Sequence, residues 1–204
     1  MGVIGTARVE SGNAVTVLPR IDGPVLGETL LALEASGMKR EQLLKVNEQA
    51  VRILGVVLST YEAGVAPGEV GPNGSGRASL SAPAVKDCPT GLLYGRVQSG
   101  KTLAMILTTA MALDNGFRVV VVLTSDNVSL VQQTAKRFAV IPGVNVRDSS
   151  EIGSWVDDQD HLRTAIGESG LVLITAKNSS HLSTFIDFLQ KVGAADYPAL
   201  ILDD

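Results

Sequence analysis

Eight consecutive residues, Gly95-Arg96-Val97-Gln98-Ser99-Gly100-Lys101-Thr102, combine the residue types that hold a polyphosphate. They match the pattern G-x-x-x-x-G-K-[ST] in full. Gly95 and Gly100 let the backbone curl without a Cβ clash, so that successive N–H groups face inward as an anion cradle. A helix beginning at Lys101 adds its positive dipole end beneath the phosphates. Lys101 would reach the β- and γ-phosphates as a point charge, and the Thr102 hydroxyl would ligate magnesium. The expectation is a magnesium–nucleoside triphosphate site bound by Gly95, Arg96, Val97, Gln98, Ser99, Gly100, Lys101 and Thr102.

Such a site needs an aspartate at the end of an apolar strand to hold the metal, directly or through water. Leu200-Ile201-Leu202-Asp203-Asp204 provides one. Two adjacent carboxylates repel each other without a cation, which suits a position facing a metal. The candidate metal residues are therefore Thr102, Asp203 and Asp204.

These residues must be positioned by the elements around them. Gly91–Tyr94 reads as a short apolar strand entering the loop, and Lys101–Asn115 as a helix with Leu103, Ile106, Leu107, Ala110 and Leu113 at helical spacing, stopped by Gly116. Arg118–Thr124 is β-branched without alternation, as a parallel strand buried on both faces would be. Helices over Ser129–Phe138, Asp157–Glu168 and Ser180–Val192 alternate with strands at Val144–Arg147, Leu171–Thr175 and Ala199–Leu202. The last of these helices is expected to turn Leu182, Phe185, Ile186, Leu189 and Val192 inward. Strands separated by helices predict an α/β fold with a parallel sheet flanked by helices.

The first part of the chain has a different character. A hairpin is expected around Ser11-Gly12-Asn13, then a short helix over Glu28–Ala35 and a longer one over Lys39–Tyr61. Residues 1–63 thus read as a mainly helical accessory segment with a packing role. Residues 64–87, rich in glycine and proline, read as a linker and domain boundary, and 88–204 as the nucleotide-binding domain.

Composition narrows the field. The chain has 204 residues, 45% apolar and 19% charged, with a net charge of −4. This is a globular composition and not that of a strongly basic, nucleic-acid-coating module. The single cysteine, Cys88, excludes an intrachain disulfide, and His161 and His181 lack ligand partners in the sequence. Trp155 and Cys88 read as packing residues. No apolar run approaches the ~20 residues of a membrane span, and no signal peptide is evident, so the expected location is cytoplasmic with no membrane partner.

Taken together, Gly95–Thr102, Thr124–Thr134 (T-S-D-N-V-S-L-V-Q-Q-T), Leu173–Leu182 (L-I-T-A-K-N-S-S-H-L) and Ala199–Asp204 (A-L-I-L-D-D) form a set. The set resembles the first RecA-like domain of a bacterial superfamily-2 helicase of the DEAD/DEAH type, similar to those found with restriction and endonuclease systems. The resemblance covers Thr90–Asp204. It implies a RecA-like P-loop domain, ATP and Mg2+ as cofactors, and Lys101 and Asp204 as catalytic residues. It also implies nucleic-acid backbone contacts, to DNA rather than RNA, from Thr124–Gln133 and Thr175–Leu182.

In that family a glutamate follows the metal aspartate, and a second RecA-like domain downstream supplies an arginine finger. The chain stops at Asp204, so the expectation is a motor domain truncated at the Walker B strand that binds ATP but hydrolyses it slowly. Two other readings stay open. A P-loop kinase of a small acceptor would need a lid with arginines, and no arginine cluster lies between Arg163 and Asp204. A non-catalytic, nucleotide-dependent interaction module would need only the loop and the metal residues.

Overall fold

The computed structural model describes residues 8–11, 14–64, 100–151, 154 and 158–204. The linker tract 65–87, Cys88, the expected strand Gly91–Tyr94, loop residues Gly95–Ser99 and Trp155 lie outside the described residues. In chain order the elements are β1 (Arg8–Ser11), β2 (Ala14–Val17), α1 (Pro24–Ala35), α2 (Arg40–Gly64), α3 (Lys101–Asp114), β3 (Val119–Thr124) and α4 (Val128–Phe138). β4 (Asn145–Asp148), α5 (Gln159–Glu168), β5 (Leu171–Ala176), α6 (Ser179–Lys191) and β6 (Ala199–Asp203) follow. β1 and β2 form the expected antiparallel hairpin, with Ser11 opposite Ala14.

The protein is an α/β fold. Its four-stranded sheet has the order β4-β5-β3-β6, and every neighbouring pair is parallel. Period-2 alternation sends successive side chains to opposite faces. Val120, Val122, Val172, Ile174 and Leu200 pack on one face in a core shared with α1, α2, α3 and α4. Val119, Val121, Leu171 and Leu173 pack on the other against Leu162 and Ile166 of α5 and Phe185 and Phe188 of α6. Both faces of β3 and β5 are thus buried, which accounts for the unbroken apolar runs in their sequences.

Helix α3 differs from its sequence expectation in one respect. Periodicity marks a single apolar stripe, yet every residue from Leu103 to Leu113 is buried. The cause is a second layer. Leu26 and Leu33 of α1, with Leu43, Val46, Ala50, Leu54 and Leu58 of α2, join the same core from the side away from the sheet. A helix that is apolar or small-sided all round is one buried all round. Helix α6 differs more locally: Phe188 is buried while Ile186 is 53% exposed. The inward set is Phe185, Phe188, Leu189 and Val192, spaced i, i+3, i+4 and i+7.

The end of α3 also fixes the start of α1. Pro24 stands in the first turn, where its missing N–H costs nothing. The N-cap residue is Gly23, which has no side chain to cap with, and the cap comes from Asp114 instead. The Val25 and Leu26 N–H groups donate to its two carboxylate oxygens at 3.1 and 2.8 Å. A Cβ on Gly23 would lie 2.0 Å from Asp114 Cγ, so only glycine permits this approach. Next to it, Asn115 accepts from the Arg20 N–H at 2.7 Å and donates to the Arg20 carbonyl at 3.0 Å. Arg20 in turn donates from Nε to Asp22 at 2.9 Å, and that bond and the guanidinium charge hold the Asp22 carboxyl below the ordinary carboxylate range.

Among the described residues no helix is long and apolar enough to cross a membrane. Because Asp114 satisfies two otherwise open N–H groups and places a negative charge at a helix N-terminus, Asp114→Ala should lower stability by about 1–2 kcal/mol. Urea unfolding measures this; an unchanged midpoint would show that the contact contributes nothing.

Candidate functional site

The described part of the phosphate-loop sequence is Gly100-Lys101-Thr102, and it falls at the start of α3. Gly100 is the N-cap residue with φ +83° and ψ +17°, in the left-handed region. Its carbonyl accepts from the Ala104 N–H at 2.9 Å, closing the first turn. Among the described residues a Cβ built here would meet only Val46 Cγ2, at an ordinary 3.9 Å. Backbone conformation and not crowding therefore calls for glycine. Gly100 has no side chain with which to cap α3, and among the described residues no other side chain bonds its first N–H groups, which can therefore face an anion.

Asp204 approaches from the far end of the chain. Its N–H donates to the Leu123 carbonyl at 2.9 Å, which fixes it beside the C-terminal end of β3. Gly100, Lys101, Thr102 and Asp204 together line one cleft of about 710 Å3. Two of the three candidate metal residues, Thr102 and Asp204, are thus brought together. The third is not. Asp203 forms an ion pair with Lys177 Nζ, and Lys177 Nζ also donates to the Asp204 main-chain carbonyl at 2.6 Å. Gly95, Arg96, Val97, Gln98 and Ser99 lie outside the described residues.

Sequence reading missed part of the cleft wall. Leu33 and Met38, at the end of α1 and in the turn after it, and Gln42 at the start of α2 line it, although the first 63 residues carried only a packing expectation. No local motif marks them, because their place depends on how α1 and α2 lie on α3. Lys136 and Arg137, in the last turn of α4, line it as well. Their signal was a pair of adjacent cations. The described lining therefore carries three cations, Lys101, Lys136 and Arg137, against the single carboxylate of Asp204, in a chain whose net charge is −4.

The segments after β3 and β5 meet at the same edge of the sheet. Asn127 caps α4, accepting from the Ser129 N–H at 2.9 Å. The Lys177 N–H donates to the Thr124 carbonyl at 2.9 Å, and the Asn178 amide donates to the Asp126 carboxylate at 3.3 Å. Gln132 and Gln133 are exposed on α4. The Asn145 amide and His161 Nε2 lie 3.4 Å apart. Among the described residues no group of three or more His, Cys, Asp or Glu side chains could hold a metal ion by itself. A magnesium ion at Thr102 and Asp204 would take its remaining ligands from phosphate oxygens and water.

Comparison of the chain with protein-family models, with curated proteins and with solved structures finds no match. The residues and their arrangement therefore carry the functional argument.

Gly100 holds a conformation that costs a residue bearing a Cβ roughly 1–2 kcal/mol. Gly100→Ala should reduce stability by about that amount, read from thermal or urea unfolding, even though the added methyl group meets no close contact among the described residues. An alanine variant as stable as the native chain would contradict the left-handed assignment.

Proposed function

We propose that this chain binds ATP with magnesium in the cleft at the start of α3. In this reading it is the nucleotide-binding part of a RecA-like, nucleic-acid-dependent ATPase of the helicase or translocase type. The observation that carries the proposal is the meeting of Gly100-Lys101-Thr102, at the N-terminus of α3, with Asp204 in one cleft. Each residue has a stated task there. The α3 N–H groups and Lys101 hold phosphate oxygens, while the Thr102 hydroxyl and the Asp204 carboxylate are the protein ligands for magnesium. When bound, the metal would neutralise phosphate charge. The surplus of cations over carboxylates in the cleft supports a polyanionic ligand, and opposes the repulsion that the chain's net negative charge would otherwise exert.

The nucleic-acid part of the proposal rests on the sheet edge. In open α/β sheets, ligands gather beyond the C-terminal ends of strands. The segments Thr124–Gln133 and Thr175–Leu182, which carry the helicase resemblance, begin at the ends of β3 and β5, beside the strand that bears Asp203 and Asp204. A nucleic-acid strand bound there would touch loops that share hydrogen bonds with the metal aspartate's neighbours.

Lys101 makes charge-assisted hydrogen bonds to phosphate in this reading, worth about 1.5–3 kcal/mol. Lys101→Ala should therefore weaken magnesium-dependent binding of a fluorescent ATP analogue by roughly 10- to 100-fold, with circular dichroism unchanged. Equal binding by a folded variant would exclude the site. Assaying hydrolysis with and without single- and double-stranded DNA or RNA tests the motor assignment, which requires that nucleic acid alter the rate.

A further inference from the structure

We infer that Lys177 is a positioning residue that withholds Asp203 from the metal, leaving Asp204 as the one carboxylate offered to magnesium. The inference rests on the magnesium–ATP reading of the cleft and adds a residue to it.

Alternation along β6 separates the two aspartates. Leu200 and Leu202 point to the α3 side of the sheet, where they join the core. Ile201 is 59% exposed on the opposite side, and the Asp203 side chain, on that same side, is 64% exposed. Asp204 lines the cleft with Lys101 and Thr102. Two adjacent carboxylates could share one cation, but here each is directed elsewhere.

Lys177 enforces that division from two strands away. It follows β5, whereas Asp203 ends β6, and β3 lies between them. The Lys177 N–H is bonded to the Thr124 carbonyl and the Asp204 N–H to the Leu123 carbonyl, so consecutive residues of β3 anchor both partners. From that anchor Lys177 Nζ spans the end of β3. It pairs with the Asp203 carboxylate and donates to the Asp204 carbonyl at 2.6 Å. One ammonium group thus neutralises Asp203 and holds the backbone of Asp204, while the Asp204 side chain pairs with no cation among the described residues.

The pair is open to solvent, with Lys177 39% exposed, and exposed pairs contribute little to folding. Its consequence is local charge: two neighbouring carboxylates act as one. Removing the Lys177 charge should make the edge doubly negative and draw Asp203 toward any cation near Asp204.

The test is Mn2+ binding to the nucleotide-free chain, followed by electron paramagnetic resonance, for the wild type, Lys177→Ala, Lys177→Arg and Lys177→Ala/Asp203→Asn. Lys177→Ala should bind Mn2+ about two- to fivefold more tightly than wild type, the range expected of an exposed charge pair. Lys177→Arg should match wild type, and the double variant should return to it. Equal Mn2+ affinity in wild type and Lys177→Ala, or a rise that persists in the double variant, would overturn the inference. Magnesium–ATP binding by the wild type is measured in parallel. Its absence would remove the cleft reading itself and this inference with it, whereas its presence with unaltered Mn2+ affinities would sink only the role of Lys177.

Discussion

Burial of α3 on every side is the constraint from which the rest of the molecule follows. The sheet supplies one wall and α1 with α2 the other, so the helix has no solvent face between Leu103 and Leu113. Ala104, Ala110 and Ala112 allow neighbours to come close, while Leu107 and Met111 fill the space between layers. The cost is visible too. The Thr108 and Thr109 hydroxyls are buried without a hydrogen-bond partner among the described residues, each forfeiting about 1–3 kcal/mol. Apolar contact from both layers offsets that loss. A helix held this firmly presents its first turn at a fixed place, and Gly100, Lys101 and Thr102 occupy that turn.

The same packing makes residues 24–64 part of the site's construction. Asp114 and Asn115, at the end of α3, bind the chain leading into α1, and α1 returns alongside α3 toward its beginning. Leu33, Met38 and Gln42 consequently reach the cleft wall. A segment with no chemical motif of its own therefore shapes the space in which the proposed chemistry occurs.

Much of this was legible in the sequence wherever the signal is local. The unbroken β-branched run of β3, the glycine stops and the apolar spacing of α3 place the sheet and helices within a few residues. What escaped depended on distant partners. The start of α1 at Pro24 instead of near Glu28 requires a cap from Asp114, 88 to 89 positions away. The inward turn of Phe188 instead of Ile186 depends on where α6 meets β3 and β5. At the site, the glycine pattern put the helix start at Lys101, as observed; it assigned Gly100 to avoiding a Cβ clash, whereas among the described residues the left-handed backbone is what calls for glycine. Adjacency made Asp203 and Asp204 equivalent by spacing alone, and only the family resemblance favoured Asp204. Strand alternation and Lys177 distinguish them in three dimensions.

Everything proposed for this cleft depends on where a magnesium-bound triphosphate sits. A crystal structure of the chain with magnesium and a non-hydrolysable ATP analogue addresses it most directly. Phosphate oxygens should lie at the α3 N-terminus and Lys101, with a metal ion between the Thr102 hydroxyl and the Asp204 carboxylate and Lys177 still paired with Asp203. Nucleotide density elsewhere on the surface, or a metal held by Asp203 with Asp204 turned away, would contradict it.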